Sequence, residues 1–221
     1  MSKPSLGQKP YWDSQNSRRH PSDPVIAAFV MPKVSLISKH TSLPKDALII
    51  DIGCGNGYFT YYLSKLSKTI GIDFSHNMLR QNPCENLFQG SSSKLPFKDN
   101  SFDMVFCSNL LHHLENWELD KTLLEMQRIS KRYIILSEPN RYNPLMMMLG
   151  LVKKEERKSL QFTKKFLQTK ITTIGLSVLY SETSGFVTPN RMPKFLVSIL
   201  KQFNNPNPLA AYTLIITEKR N

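Results

Sequence analysis

The chain has 221 residues, 40% of them hydrophobic and 21% charged, an ordinary globular composition with enough length to bury a core without crosslinks. No apolar run reaches the roughly 18 residues of a membrane helix; the longest, "PLMMMLGLV" at 144–152, is about half that, and the opening "MSKPSLGQKP" lacks the apolar stretch of a secretory signal. Three cysteines (Cys54, Cys84 and Cys107), odd in number and without C-x-x-C spacing, argue against a disulfide framework or a zinc site, so a reduced, cytoplasmic protein without a metal is expected. The net charge of +12 and pI near 9.6 point to an acidic partner: nucleic acid, an anionic membrane surface or an anionic substrate. Residues 141–201 carry 11 Lys/Arg against 3 Asp/Glu, so most of the surplus falls there; a solvated basic surface explains it equally well.

In chain order, the first ten residues are expected to lack regular structure. "PSDPVIAAFVMPKVSLISKHTS" (21–42) predicts two short helices, one capped at Ser22 or Asp23 and the next opening at Pro32. "ALIIDIG" (47–53) reads as a strand, "YFTYYLSKLS" as a helix and "TIGIDF" (69–74) as a second strand. "SHNMLRQ" predicts a short helix capped by Ser75, followed by strands at "NLFQG" (86–90) and "FDMVFCSNL" (102–110). A helix over about 115–129 is expected to set Trp117, Leu119, Leu123, Leu124 and Ile129 on its apolar side, before a strand at "YIILSE" (133–138). Strands that are nearly all apolar and alternate with helices predict a parallel sheet covered on both faces, an α/β doubly wound sandwich.

The pattern changes after Glu138. "PNRYNPLMMMLGLVKKEERKSLQ" is irregular to helical, and "TKKFLQTKITTIG" reads as a helix capped by Thr163 and closed by Gly175. "LSVLYSET" and "AYTLIITEK" read as two late strands. The intervening 27 residues carry an amphipathic helix near 193–203, with Phe195, Leu196, Ile199, Leu200 and Phe203 in one stripe. Long insertions of this kind usually cover a working face.

The most informative stretch is "IIDIGCGNGYFT" (49–60): strand, glycine-rich turn, helix. Gly53, Gly55 and Gly57 form G-x-G-x-G, but the dinucleotide fingerprint asks for a third glycine where this chain has Tyr58. Asp51 ends the first strand and Asp73 the second, 22 residues later. A carboxylate in the second position can accept both hydroxyls of a ribose. The charge of Asp51 beside the turn disfavours a pyrophosphate and favours a cofactor bearing an ammonium or sulfonium.

These residues resemble the class I S-adenosylmethionine-dependent methyltransferases, particularly the group similar to quinone and sterol methyltransferases. "IIDIGCGNGYFT", "IGIDFSHNML" and "FQGSSSKLPFKDNSFDMVFCSNLLHHL" look like that family's ordered motifs over about 47–139, with "YWD" (11–13) and "SEPNRYNP" (137–144) as weaker echoes. The resemblance implies a seven-stranded Rossmann-like sheet, mostly parallel with an antiparallel last strand. It implies one methyltransferase domain over 1–221: a helical cover (1–46), a cofactor-binding core (47–139), and an acceptor-side cover with the last two strands (140–221). It implies S-adenosyl-L-methionine as cofactor, its methionine part held by Asp51 with the backbone of Gly53, Gly55 and the Gly57 turn. Asp73 would hold the ribose, Phe74 and Met78 would pack on the adenine, and Asn109 would lie near the sulfonium. Where relatives often carry Asp, this chain has Ser91, followed by Ser92, a neutral substitute at the adenine edge.

Methyl transfer from a sulfonium is an in-line displacement in which the protein chiefly aligns the reactants. The sequence after the fourth strand, "SNLLHH", is unlike the N-P-P-Y type found in enzymes methylating amides. His112 and His113 are the candidate bases for a hydroxyl or acidic carbon; packing and hydrogen bonding explain them too. Met146, Met147 and Met148 are expected to line an apolar pocket or fill the core. The leading reading is a methyltransferase for a small or amphipathic apolar acceptor, quinone-, lipid- or polyketide-like. An RNA or protein methyltransferase using the basic half, a non-catalytic binder of the cofactor, and a dehydrogenase remain alternatives, nucleic acid being the less favoured partner. Peripheral contact with an anionic membrane is the further expectation; the oligomeric state is not legible.

Overall fold

The computed structural model describes residues 9–15, 18–189 and 192–219. Of the first ten residues, 1–8 lie outside the described part, and residues 9 and 10 open a short helix, α1 (Lys9–Asp13). The next helix, α2 (Pro24–His40), is capped by Asp23, whose carboxylate accepts the Val25 amide. It is one helix of 17 residues, not two, and runs through Pro32. A proline inside a helix forfeits a hydrogen bond and costs about 3 kcal/mol. Here Val25, Ile26, Phe29, Val30 and Ile37 are buried on both sides of it, and that continuous apolar face outweighs the local penalty.

Seven strands follow: β1 (Leu48–Ile52), β2 (Lys68–Asp73), β3 (Leu87–Gln89), β4 (Phe102–Ser108), β5 (Ser130–Pro139), β6 (Ser177–Ser184) and β7 (Tyr212–Glu218). They form one sheet in the order β3-β2-β1-β4-β5-β7-β6. The first five pair in parallel, and β7 lies antiparallel between β5 and β6. The remaining helices are α3 (Thr60–Leu63), α4 (His76–Arg80), α5 (Asn116–Ile129), α6 (Pro144–Val152), α7 (Lys164–Thr173) and α8 (Lys194–Leu200). Thr163 caps α7 by accepting the Phe166 amide, and Gly175 closes it at φ 79°, as expected of a helix C-terminus.

Alternate residues of each strand enter two separate cores, one per face of the sheet. Ile49, Met104, Phe106, Ile135, Leu214 and Ile216 pack beneath α2. Ile50, Ile52, Val105, Ile134, Leu136 and Ile215 pack against Leu119, Leu123 and Met126 of α5 and Leu167 and Ile171 of α7. In α5 the buried face is Leu119, Thr122, Leu123, Met126 and Ile129, while Trp117 and Leu124 are exposed. Position 124 lies five residues after 119, well off the stripe that the three-and-four spacing defines. The segment 58–67 makes only one regular helical turn, α3, continued by turns.

One group in the first core is out of keeping with it. Lys33 is buried, its Nζ donating to the Phe29 carbonyl at 2.8 Å and lying 3.8 Å from the Phe29 ring centroid and 4.7 Å from that of Tyr212. Burial pulls its pKa down from 10.5 to about 7. The unfolded chain therefore binds more protons between pH 7 and 10.5, so the group's contribution to stability improves as pH rises through that window. Lys33→Met is expected to stabilise the protein at pH 7 by about 1–3 kcal/mol and to flatten the rise in stability from pH 7 to 9, both read from urea unfolding.

Candidate active site

A cavity of about 990 Å³ opens at the carboxyl ends of the parallel strands, where α/β sheets bind their ligands. Its size is at the upper end for a small-molecule site, with room for two molecules side by side. One end is lined by Asp51, Gly53, Gly55, Asp73, Phe74 and Met78. Ser91, Ser92 and Asn109 adjoin them, and His112 and His113 line the same cavity. Gly57 does not line it. At φ 88° it closes the turn against Asn82, whose Oδ1 would clash with an added Cβ.

The turn between β1 and α3 has a particular hydrogen-bonding state. The amides of Gly53 and Cys54 donate to the Ile72 carbonyl at 2.8 and 3.1 Å, and the Gly55 amide donates to Asp73 Oδ2 at 2.9 Å. These three N–H groups are committed to β2, so they cannot cradle a phosphate as a dinucleotide loop does. Gly53 and Gly55 sit at φ 72° and 50°, and a Cβ on Gly55 would meet Met78 Cε at 3.1 Å. The turn therefore keeps the backbone low beneath the cavity.

Asp73 accepts the Gly55 amide on one oxygen and the Ser75 amide on the other. Both are held in place, and each retains a lone pair for a further donor. Burial raises its pKa against these bonds. Asp51 accepts the Thr60 hydroxyl at 2.7 Å; burial pushes its pKa up to about 7, with the Asp73 charge adding to the rise. Two desolvated carboxylates on one cavity suit hydroxyl and ammonium groups and oppose phosphate. Asn109 stands at φ 51° with its amide bonded to the Ser137 carbonyl, a left-handed position that asparagine tolerates. Ser91 pairs with Ser93, and Ser92 with Thr122, each at 3.0 Å between hydroxyl oxygens.

At the other end, Glu138 is fully buried. Its Oε1 accepts the amides of Leu110 and Leu111, both at 3.0 Å, and its Oε2 lies 2.6 Å from His112 Nδ1. His112 Nε2 lies 3.4 Å from Glu156, in the 3-10 turn after α6. Burial alone would lower the His112 pKa; the Glu138 and Glu156 carboxylates outweigh it and raise it to about 9. Burial and the neighbouring His112 charge take His113 down to about 3. Near pH 7 one ring is therefore charged and the other neutral.

Sequence reasoning missed several lining residues. Trp12 meets His113 edge-on at 4.9 Å between ring centroids, and Tyr11, Gln15, Arg18 and Arg19 of the same segment line the cavity. That segment is fastened to α4: Ser75 Oγ donates to Asp13 at 2.6 Å, Asn77 Nδ2 to the Asp13 and Gln15 carbonyls, and Gln81 to the Gln15 carbonyl. "YWD" was the available signal. Glu156 and Glu138 gave none, because their partners lie 44 and 26 residues away in sequence.

Residues 50–134 match the family model described as a methyltransferase domain. An uncharacterised protein of Methanocaldococcus jannaschii is 33% identical over 167 residues, covering 72% of this chain and 67% of that one. The chain belongs to the class I S-adenosylmethionine-dependent methyltransferases. This methyltransferase is also 30% identical over 138 residues to the probable methyltransferase ltbC of Aspergillus luteorubrus, covering 54% of this chain and 44% of that one. To a demethylmenaquinone methyltransferase of Staphylococcus aureus it is 35% identical over 106 residues, 43% of each chain. It thus spans less than half the length of either of these two relatives. Among solved structures, a methyltransferase from Thermotoga maritima, described as a possible histamine N-methyltransferase, superposes with a TM-score of 0.68 at 18% identity, over 89% of this chain and 92% of that one. PH0226 protein from Pyrococcus horikoshii gives 0.65 at 16% identity, over 96% and 99%. At these identities the likeness is one of fold.

The two carboxylates offer acceptors of the kind that the hydroxyls and ammonium of S-adenosylmethionine require. The resemblance assigns the methionine part to Asp51; with burial raising that carboxyl to about 7, affinity for the cofactor is expected to fall as the pH drops below 7, by up to about tenfold per unit. Thr60→Val removes the bond that favours the ionised carboxylate and should move that midpoint upward, as calorimetry across pH 5.5–8 would record.

Proposed function

We propose that this methyltransferase modifies a small, amphipathic apolar acceptor of quinone-, lipid- or polyketide-like chemistry. The observation that carries this reading is the character of the cavity beyond the carboxylates. Leu145, Met146, Met148 and Leu149 of α6 line it together with Phe29 and Tyr212. Such a wall rewards an apolar ring or chain by about 25 cal/mol per Å² buried. The demethylmenaquinone relative supports a quinone-like acceptor within that class.

When bound, S-adenosylmethionine supplies a methyl group on a positively charged sulfur. In this reading Asp73 holds the ribose hydroxyls, and Asp51 with the turn at Gly53 and Gly55 holds the methionine part. Phe74 and Met78 pack on the adenine, with Ser91 and Ser92 at its edge and Asn109 toward the sulfonium. His112, charged near neutral pH, favours an acceptor that reacts as a phenolate or enolate. Neutral His113 can accept a hydrogen bond from the acceptor, with Trp12 packed on its edge. Exclusion of water falls to α6 together with Tyr11, Trp12, Gln15, Arg18 and Arg19, which line the same cavity.

The expected outcome is methylation of hydrophobic phenols or quinols from a labelled-donor panel, with RNA and peptides unmodified. Leu145→Ser/Met148→Ser should raise the acceptor KM about tenfold or more while S-adenosylmethionine binding stays within about twofold. Methylation of RNA that persists at physiological salt, with the apolar panel inert, would replace this reading with the nucleic-acid one.

A further inference from the structure

The apolar stripe near 193–203 does not turn wholly inward. Leu196 and Leu200 are partly buried against the first core and Val197 is buried, but Phe195 is 74% exposed, and Ile199 and Phe203 are each more than half exposed. In α6, Met146 faces inward, whereas Leu151 and Val152 are 63% and 78% exposed and Met147 and Met148 are about half exposed. Solvent-facing apolar side chains this large and this many mark an interaction site rather than ordinary surface.

Both segments leave the same end of the sheet. β5 ends at Pro139, which pairs with Tyr212 at the start of β7, and Tyr212 pairs in turn with Ser184 at the end of β6. α6 follows β5, and the 185–211 insertion bearing α8 joins β6 to β7, so the two are rooted in adjacent strands. Asn143 at the head of α6 reaches across to donate to the Leu209 carbonyl at 2.7 Å, and Leu209 is itself exposed. Exposed Lys154 and Arg157 follow α6, and exposed Lys194 and Lys201 bracket α8. Two acidic residues, Glu155 and Glu156, lie between the first pair, and Glu156 is turned toward His112.

We propose that α6 and the α8 insertion form a docking surface for an anionic lipid bilayer, the apolar side chains entering the headgroup–acyl boundary and the basic residues meeting lipid phosphate. An apolar helix face flanked by Lys and Arg is the pattern that lies in a membrane interface, and each such cation adds attraction to an anionic leaflet. No helix among the described residues is long and apolar enough to cross a membrane, so the attachment is peripheral. Leu145 and Met148 belong both to this surface and to the cavity wall, which carries apolar contact from the bilayer to the site. Delivery of an amphipathic acceptor by this route rests on the functional reading above; the docking itself stands on exposure and charge.

The test is sedimentation of the full chain with phosphatidylcholine vesicles and with phosphatidylcholine/phosphatidylglycerol vesicles, without any acceptor. Binding to the anionic vesicles is expected to be roughly tenfold or more above binding to the neutral ones and to weaken with added salt. Leu151→Ser/Val152→Ser/Phe195→Ser/Ile199→Ser should abolish it. Lys154→Gln/Arg157→Gln/Lys194→Gln/Lys201→Gln should reduce it to the neutral-vesicle level, and both variants should still bind S-adenosylmethionine. Absence of wild-type binding to anionic vesicles, or equal binding by both folded variants, overturns the proposal. So does a concentration-dependent dimer that the apolar variant alone loses, which would assign the surface to a second copy of this chain. A vesicle-bound protein that fails to methylate the apolar panel would count against the acceptor, not against the docking.

Discussion

The buried carboxylate of Glu138 is the point on which the open end of the sheet depends. An unpaired charge in that position would cost several kcal/mol. It is compensated by two amides and an imidazole arriving from one short stretch, Leu110 to His112. That compensation fixes the turn after β4, and with it the left-handed Asn109, beside the carboxylate end of the cavity. Through His112 it also reaches Glu156, so the turn that follows α6 is tied to the strand before it. The two halves of the cavity share one anchor, and loosening it would disturb both together.

Polarity is distributed around that anchor with consistent physical logic. The floor under β1 and β2 carries two desolvated acids and spent backbone amides, a setting for cations and hydroxyls. The wall under α6 is aliphatic and thioether. The outside of α6 is apolar, with exposed Lys154 and Arg157 in the turn that follows it, and Arg18, Arg19 and Lys153 add positive charge to the cavity lining.

Much of this was legible in the sequence because the relevant signals are local. The strand–turn–helix of residues 49–60, the acid ending β2, the Ser75 and Thr163 caps and the closing Gly175 each depend on neighbours within a few positions. The single helix through Pro32 was not legible, since its stability comes from Phe29, Val30 and Ile37 packing on a distant sheet. The exposure of Trp117 and Leu124 was lost for the same reason: composition marked them apolar, and only the phase of the buried face decides their side. The stripe at 193–203 was correctly helical, yet its periodicity could not tell which apolar residues meet protein and which meet solvent. Glu138, Glu156 and the cavity-lining part of residues 11–19 act through partners far along the chain.

The 9–15 segment is fastened to α4 by four hydrogen bonds and leans on His113 through Trp12. At about 0.5–1.5 kcal/mol net apiece, those bonds make a latch that opens seldom compared with side-chain motion but far more often than the whole domain unfolds. Tyr11, Trp12 and Gln15 of this latched segment line the same cavity as Asp73 and His113, so part of the cavity wall is held in place by side-chain hydrogen bonds to α4 rather than by the sheet itself.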